Sequence, residues 1–307
     1  GVGEWTTTSW GVGSGNQFEL KQEIHFPHSL GLLYSAFTYY IGFKVNSGEY
    51  KVMGLAPYGG PDIELREKLE KVLYQAGDEY RVDPEYIYFA QRNYSFRHTD
   101  KLIDLLGHPP RKPESEITQW HKDLAWEVQH KLETVVGRLV KNSIKKYGIK
   151  NICISGGVAM NCKMNGFISE LEEIDRCFVT PASNDAGGAL GAALLPFTET
   201  PDFRKNVGLM TAYLGPAFSE KDTLKCLKEA KINDFRVLGD SELSSLVAQE
   251  LANGSIVGWF QGRMEVGARA LGNRSILADP SYPNMKDKIN AEVKHREAFR
   301  PFAPAIL

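Results

Sequence analysis

Hydrophobic and polar positions change period several times along the chain. In residues 4–26, Thr, Trp, Val, Phe and Ile flank a Gly-Ser-Gly-Asn turn, which predicts a β-hairpin with a third strand as partner. Ser29 to Phe43, SLGLLYSAFTYYIGF, is apolar almost throughout and reads as a buried helix. NSGEYKVMGLAPYGG then reads as a glycine-rich loop with a short apolar core. Residues 61–113 are polar and rich in Tyr, Pro and Arg, as in an insertion with short helices. From Ser115 to Tyr147, Leu124, Val128, Leu132, Val135, Leu139 and Val140 recur at three- and four-residue spacing, which predicts a long helix. Ser115 and Thr118 are its candidate N-caps, lysines gather at its end, and Gly148 is its stop. Its apolar stripe reads as core packing.

The pattern then turns to α/β. NICIS is a short buried strand, GGVAMNCKMNG a glycine turn entering a helical run, RCFVTPAS a second strand, and NDAGGALGAALL a loop entering a small-residue helix. Prolines and threonines between residues 196 and 212 mark a linker, set at 201–212, which separates domains at 1–200 and 213–307. Beyond it, SEKDTLKCLKEAK predicts a helix, DFRVL a strand, ELSSLVAQELANG a helix and SIVGWF a buried strand. No internal repeat or low-complexity tract interrupts this order.

Composition narrows the class. A 307-residue chain with net charge −2 has no overall field for nucleic acid. It has no apolar run of roughly 18 residues to span a membrane, and no signal peptide is visible. Cys153, Cys162, Cys177 and Cys226 form no C-x-x-C pair and are expected to be buried free thiols of a cytoplasmic protein. The chain opens on Gly-Val-Gly-Glu without methionine and is expected to be a piece of a longer polypeptide.

Three stretches carry candidate chemistry. Ser155 to Asn161 lies where a strand meets a helix; its glycines fit either a nucleotide site or a tight turn needed for packing. Asp185, at a second such junction, fits either a helix cap or a ligand for a cation that bridges phosphates. FQGRMEVGARALGNRS, Phe260 to Ser275, sets three arginines among glycines. From Trp259 to Leu307 there are eight Lys or Arg against five Asp or Glu, an excess of three positive charges. Arginine forks suit phosphate oxygens, and salt bridges to Glu265 and Asp279 are the plainer alternative.

In order, GVGEW, SLGLLYSAFTYYIGF, EYKVMGLAPYG, ISGGVAMNCKMNG and ASNDAGGALGAAL resemble the O-carbamoyltransferases of nodulation-factor and antibiotic tailoring. The resemblance covers nearly the whole chain. It implies an α/β main domain of the actin and sugar-kinase (ribonuclease H-like) fold, similar to the enzyme that transfers threonylcarbamoyl to tRNA. It also implies part of an α/β adenylate-forming second domain. The implied reaction uses ATP and carbamoyl phosphate to make carbamoyl-adenylate, then carbamoylates a small-molecule hydroxyl acceptor. Neither nucleic acid nor membrane is an implied partner.

By the same resemblance, Gly3, Glu4, Gly156, Gly157, Val158, Asn161 and Asn165 bind carbamoyl-adenylate. Arg263, Arg269, Asn273, Arg274, Ser275, Lys288, Arg296 and Arg300 bind carbamoyl phosphate and ATP, with Arg263, Arg269 and Arg274 catalytic. Asp185 matches the aspartate that, with an H-x-x-x-H pair, holds a divalent metal, usually iron; Mg accompanies ATP. That pair lies upstream of GVGEW in the family. His25 and His28 have the wrong spacing for it, and HFPH reads as a turn. The family's E-F-G-P-R-A-L-G is EVGARALG here, so Val266 and Ala268 replace Phe and Pro and loosen the turn before Arg269. A piece without the histidine pair is expected to be inactive alone. A kinase of the same superfamily and an inactive nucleotide-binding module are the alternative readings.

Overall fold

A computed structural model describes residues 3, 5–89, 96–198, 200 and 211–306. The class is mixed α/β, and the chain divides into two compact units, Gly1–Thr200 and Pro201–Leu307. Residues 201–210 of the expected linker lie outside the described residues.

The first unit opens on the expected hairpin. Strands β1 (Thr6–Ser14) and β2 (Gln17–His25) pair antiparallel, with Ser14 opposite Gln17. The expected third strand is absent from this sheet among the described residues; it has two strands only. Helix α1 (Leu30–Tyr40) follows, capped by Ser29, whose side chain accepts from the Leu32 N–H. Nine of its eleven residues are buried, which explains its near-continuous apolar run.

One expectation is corrected here and another extended. NSGEYKVMGLAPYGG is not a loop: it forms helix α2 (Glu49–Leu55) and a 3-10 turn, Ala56–Tyr58. Glu49 makes the helix start possible by accepting from the N–H groups of Asn46 and Gly48. Residues 61–113 carry the expected short helices, but also strands and buried side chains. They hold α3 (Ile63–Val72), the hairpin β3 (Leu73–Ala76) and β4 (Glu79–Val82), β5 (Ile87–Phe89), β6 (Phe96–His98) and α4 (Asp100–Leu106). Leu65, Leu69, Val72, Tyr80, Val82, Ile87 and Leu102 from this stretch are core residues. The polar majority faces water, and one apolar residue every three or four suffices to build the inner face.

Helix α5 (Gln119–Tyr147) is the spine of the unit. Thr118, not Ser115, is its N-cap, in a capping box completed by His121 in place of the usual acid. Gly148, at φ 70°, ends it in the left-handed region. Buried Glu127 on α5 accepts the Asp62 N–H at 2.8 Å and two Arg66 N–H groups at 2.9 and 3.1 Å, and so fixes α3 to the spine.

Strands β7 (Asn151–Ile154) and β8 (Arg176–Val179) pair in parallel, joined through α6 (Cys162–Ser169). NICIS is not buried as expected, and β8 is no more buried than β7. Asn151, Cys153, Arg176 and Phe178 alternate outward, because this two-stranded sheet covers one face only. The thiols follow: all four cysteines are free, but Cys153, Cys162 and Cys226 are exposed and Cys177 is half-buried. Helix α7 (Gly187–Leu194) comes after β8.

The second unit holds α8 (Glu220–Glu229), capped by Ser219 and Asp222, and α9 (Asp240–Ala252). DFRVL is not a strand; no partner strand offers it a ladder among the described residues. Strand β9 (Val257–Phe260) pairs antiparallel with β10 (Arg274–Leu277). Strand β9 is half-exposed rather than buried, with Phe260 turned outward. Among the described residues of this unit only Met285, Ile289 and Asn290 are buried. No helix among the described residues is long and apolar enough to cross a membrane.

Candidate functional site

In the first unit the loops that leave β7 and β8 meet at the carboxyl ends of the parallel pair. The Gly156 N–H donates to the Ser183 carbonyl at 2.6 Å, and Ser155 Oγ donates to the same oxygen at 3.2 Å. Such a paired crevice is where α/β sheets receive ligands. Gly156 sits at φ 96°, which an L side chain rarely adopts. Gly187 is required for another reason: a Cβ there would be driven into the Ala182 carbonyl oxygen. By contrast, a Cβ on Gly157 or Gly188 would meet open space, so packing within the chain does not require their smallness. Backbone left bare at a strand-to-helix junction is what close approach by an anion needs.

Val158 lies in the 3-10 turn Gly157–Met160. Asn161 closes that turn and caps α6, accepting the Met164 N–H at 2.9 Å. Asn165 Nδ2 donates to the Ala159 carbonyl at 2.7 Å, while its Oδ1 is shielded from solvent without a donor. Gly3 stands at the entrance to β1, its N–H on the Thr6 carbonyl, and Glu4 lies outside the described residues.

Asp185 is exposed in the loop before α7. The turn is shaped by Asn184, whose Oδ1 accepts the Ala186 N–H at 3.3 Å. No group of three or more His, Cys, Asp or Glu among the described residues could hold a metal ion. The donor set present therefore does not by itself fit a metal centre.

Gln129 had not been singled out from the sequence. Buried on α5, its Oε1 accepts from Tyr34 Oη at 2.9 Å and Asn161 Nδ2 at 2.8 Å. Its Nε2 donates to Glu133 Oε1 at 2.8 Å and Asn161 Oδ1 at 3.1 Å. Burial is the main cause that pushes the Tyr34 hydroxyl well above its ordinary pKa, so it stays a neutral donor. The available signal was positional: Gln129 falls four residues after Ala125 and three before Leu132, on an otherwise apolar stripe.

In the second unit the arginine segment is the long loop of the β9–β10 hairpin. Arg263 donates from Nε to the Gly215 carbonyl at 2.9 Å and from Nη2 to the Leu214 carbonyl at 3.0 Å. Arg274 donates from Nη1 to the Gln261 and Asn273 carbonyls at 2.9 and 2.7 Å, and its guanidinium lies 3.5 Å from the Phe260 ring centroid. These two therefore stiffen the loop. Arg269 is exposed on the arc between them.

Glu265, also not singled out as a site residue, organises that arc. Its Oε1 accepts the Leu271 and Asn273 N–H groups at 2.7 and 2.8 Å. Desolvation opposes its charge, but these backbone donors outweigh it and hold the carboxyl below its ordinary pKa. Asn273 Nδ2 donates to the Arg263 carbonyl, and Ser275 Oγ accepts the Gly272 N–H. Elsewhere in the unit, Arg296 donates to buried Asn290 at 2.7 Å and Arg300 pairs with Glu297 at 3.4 Å. Lys288, ending the helix Met285–Lys288, is exposed.

The family model described as carbamoyltransferase N-terminus matches residues 1–194, and that described as carbamoyltransferase C-terminus matches residues 248–307. An uncharacterized protein of Synechocystis, sll1178, is 46% identical over all of this chain and 50% of its own length. The nodulation protein NolO of Bradyrhizobium diazoefficiens is 38% identical over all of this chain and 54% of its own. The 3'-hydroxymethylcephem-O-carbamoyltransferase of Amycolatopsis lactamdurans is 39% identical over 49% of this chain and 27% of its own. The chain spans about half the length of the first two.

Proposed function

The chain belongs to the carbamoyltransferase family, and from that premise we propose that its protein is an ATP-dependent O-carbamoyltransferase acting on a small-molecule hydroxyl, with a first unit of the actin and sugar-kinase type. In the proposed reaction, water cleaves carbamoyl phosphate to carbamate and phosphate. A carbamate oxygen attacks the α-phosphorus of ATP and expels pyrophosphate, leaving carbamoyl-adenylate. The acceptor oxygen then attacks the carbamoyl carbon, its proton passes to base, and AMP departs.

The observation that carries this reading is the junction of two glycine loops at the ends of parallel strands, joined by the Gly156 to Ser183 bond. There the bare backbone of Gly156, Gly157 and Val158, with Asn165 behind it, would cradle the adenylate phosphate. In the second unit, Arg269 on its pinned loop, with Asn273 and Ser275 beside it, would receive the phosphates of ATP and carbamoyl phosphate. Arg263 and Arg274 would serve by holding that loop, and Lys288, Arg296 and Arg300 would add positive potential. A guanidinium matches a phosphate edge with two parallel donors. Mg would accompany ATP. Asp185 would give one ligand to a divalent cation, iron on the family resemblance, whose other ligands the described residues do not supply. A cation bound there would supply Lewis-acid polarisation.

The test is to incubate the complete gene product with carbamoyl phosphate and ATP. Pyrophosphate and carbamoyl-adenylate are expected without any acceptor. ATP turnover that appears only with a hydroxyl acceptor, and with neither product formed, would overturn the reading in favour of a kinase.

A further inference from the structure

Asn161 belongs to the glycine loop through its backbone, and its side chain is engaged by α5 and by the start of α6. Both of its amide atoms are paired with the Gln129 amide, Nδ2 to Oε1 at 2.8 Å and Oδ1 to Nε2 at 3.1 Å. Gln129 is itself fully satisfied. Its second acceptor site is filled by Tyr34 Oη and its second donor goes to Glu133. Tyr34 and Gln129 are buried, while Asn161 and Glu133 are half-buried at the edge of the cluster. Three elements are joined through it: α1 by Tyr34, α5 by Gln129 and Glu133, and the loop by Asn161.

We infer that Gln129 is a positioning residue for the Gly156–Asn161 loop, setting the bare backbone through its amide pair with Asn161; this rests on the reading of that loop as an adenylate site. A complementary amide pair anchored on the buried Gln129 side chain has one register. Leucine in place of Gln129 removes the partner of Asn161 Nδ2 and of the buried Tyr34 hydroxyl, and leaves Asn161 Oδ1 with the Met164 N–H alone. The loop must then turn to find water, and the backbone N–H groups aimed at the ligand turn with it. The contact to Met164 N–H, which caps α6, depends on the same Asn161 oxygen.

Cys162 offers a local readout, being exposed and next to Asn161. Its alkylation by iodoacetamide, followed by mass spectrometry, is slowed when the loop is occupied. The probe is 5′-O-sulfamoyladenosine, a stable mimic of carbamoyl-adenylate, with the complete gene product. In Gln129→Leu the probe concentration that halves alkylation is expected to rise at least tenfold. Asn161→Ala should behave alike, and the double variant should shift no further than either, as for one shared pair. Tyr34→Phe, which keeps shape and removes one donor, should shift it about two- to fivefold and guards against loss of fold in Gln129→Leu. Pyrophosphate release should be unchanged in Gln129→Leu and Tyr34→Phe, since it belongs to the other unit.

Gly157→Val provides the contrast. If it abolishes protection while Gln129→Leu and Tyr34→Phe protect like the wild type, the positioning role is overturned and the adenylate reading stands. Wild-type Cys162 that no probe concentration protects would overturn both.

Discussion

Lowering the pH should weaken the first unit through one buried histidine. His121 is 4% exposed at the start of α5. Its Nδ1 accepts the Thr118 N–H at 3.1 Å, and its Nε2 is buried without a hydrogen-bond partner. His108 lies edge-on at 5.1 Å. An ordinary histidine titrates near 6.5; burial first, then His108 and Arg111, push His121 down to about 4. Between those values the unfolded chain binds a proton that the folded chain refuses, so stability rises with pH. The contribution of neutral His121 is full above pH 6.5 and is lost as pH falls toward 4. At ~1.4 kcal/mol per pH unit, the descent removes about 3 kcal/mol. Urea unfolding at pH 7.0 and 4.5, followed by Trp120 fluorescence beside the ring, measures it in wild type and in His121→Gln, which retains an acceptor for Thr118. The wild type should lose about 2–3 kcal/mol more than the variant over that interval. Equal losses would refute the assignment of the pH dependence to His121.

Arg66→Leu should destabilise by about 3 kcal/mol in urea melts, because it strands the buried Glu127 carboxylate with a single donor; pairing it with Glu127→Leu should recover part of the loss, and simple additivity would contradict this. Gly187→Ala should cost about 1–3 kcal/mol by thermal unfolding, since its Cβ collides with the Ala182 carbonyl; an unchanged Tm would show that the loop yields freely. On the proposed function, Arg269→Ala should lower the rate of pyrophosphate release by one to three orders of magnitude while leaving transfer from supplied carbamoyl-adenylate nearly intact, and equal losses in both would count against the assignment. Asp185→Ala should lower the metal content of the purified complete protein with adenylate formation preserved; unchanged metal content would remove Asp185 from the ligand set.

Local elements were legible where one signal dominated. The hairpin around Gly15, the apolar run of α1 and the stripe of α5 ending at Gly148 stand where the pattern places them. The glycine loops at the ends of β7 and β8 were legible for the same reason, as glycines at a change of period. In residues 61–113 the short helices were legible but the core face was not, because mean polarity hides the few buried positions. DFRVL was misread because strand propensity needs a neighbour that the chain does not bring to it.

For the sites, the sequence by itself determined which residues are present and their local chemistry: bare backbone after β7 and three guanidinium groups in one hairpin. Tertiary structure decided what each side chain does. Arg263 and Arg274 bond to carbonyls of their own unit, Glu265 pins the arc that carries Arg269, and Gln129 reaches Asn161 across 32 positions. A hydrogen bond depends on where two atoms lie in space, and no one-dimensional spacing encodes that for partners on different elements.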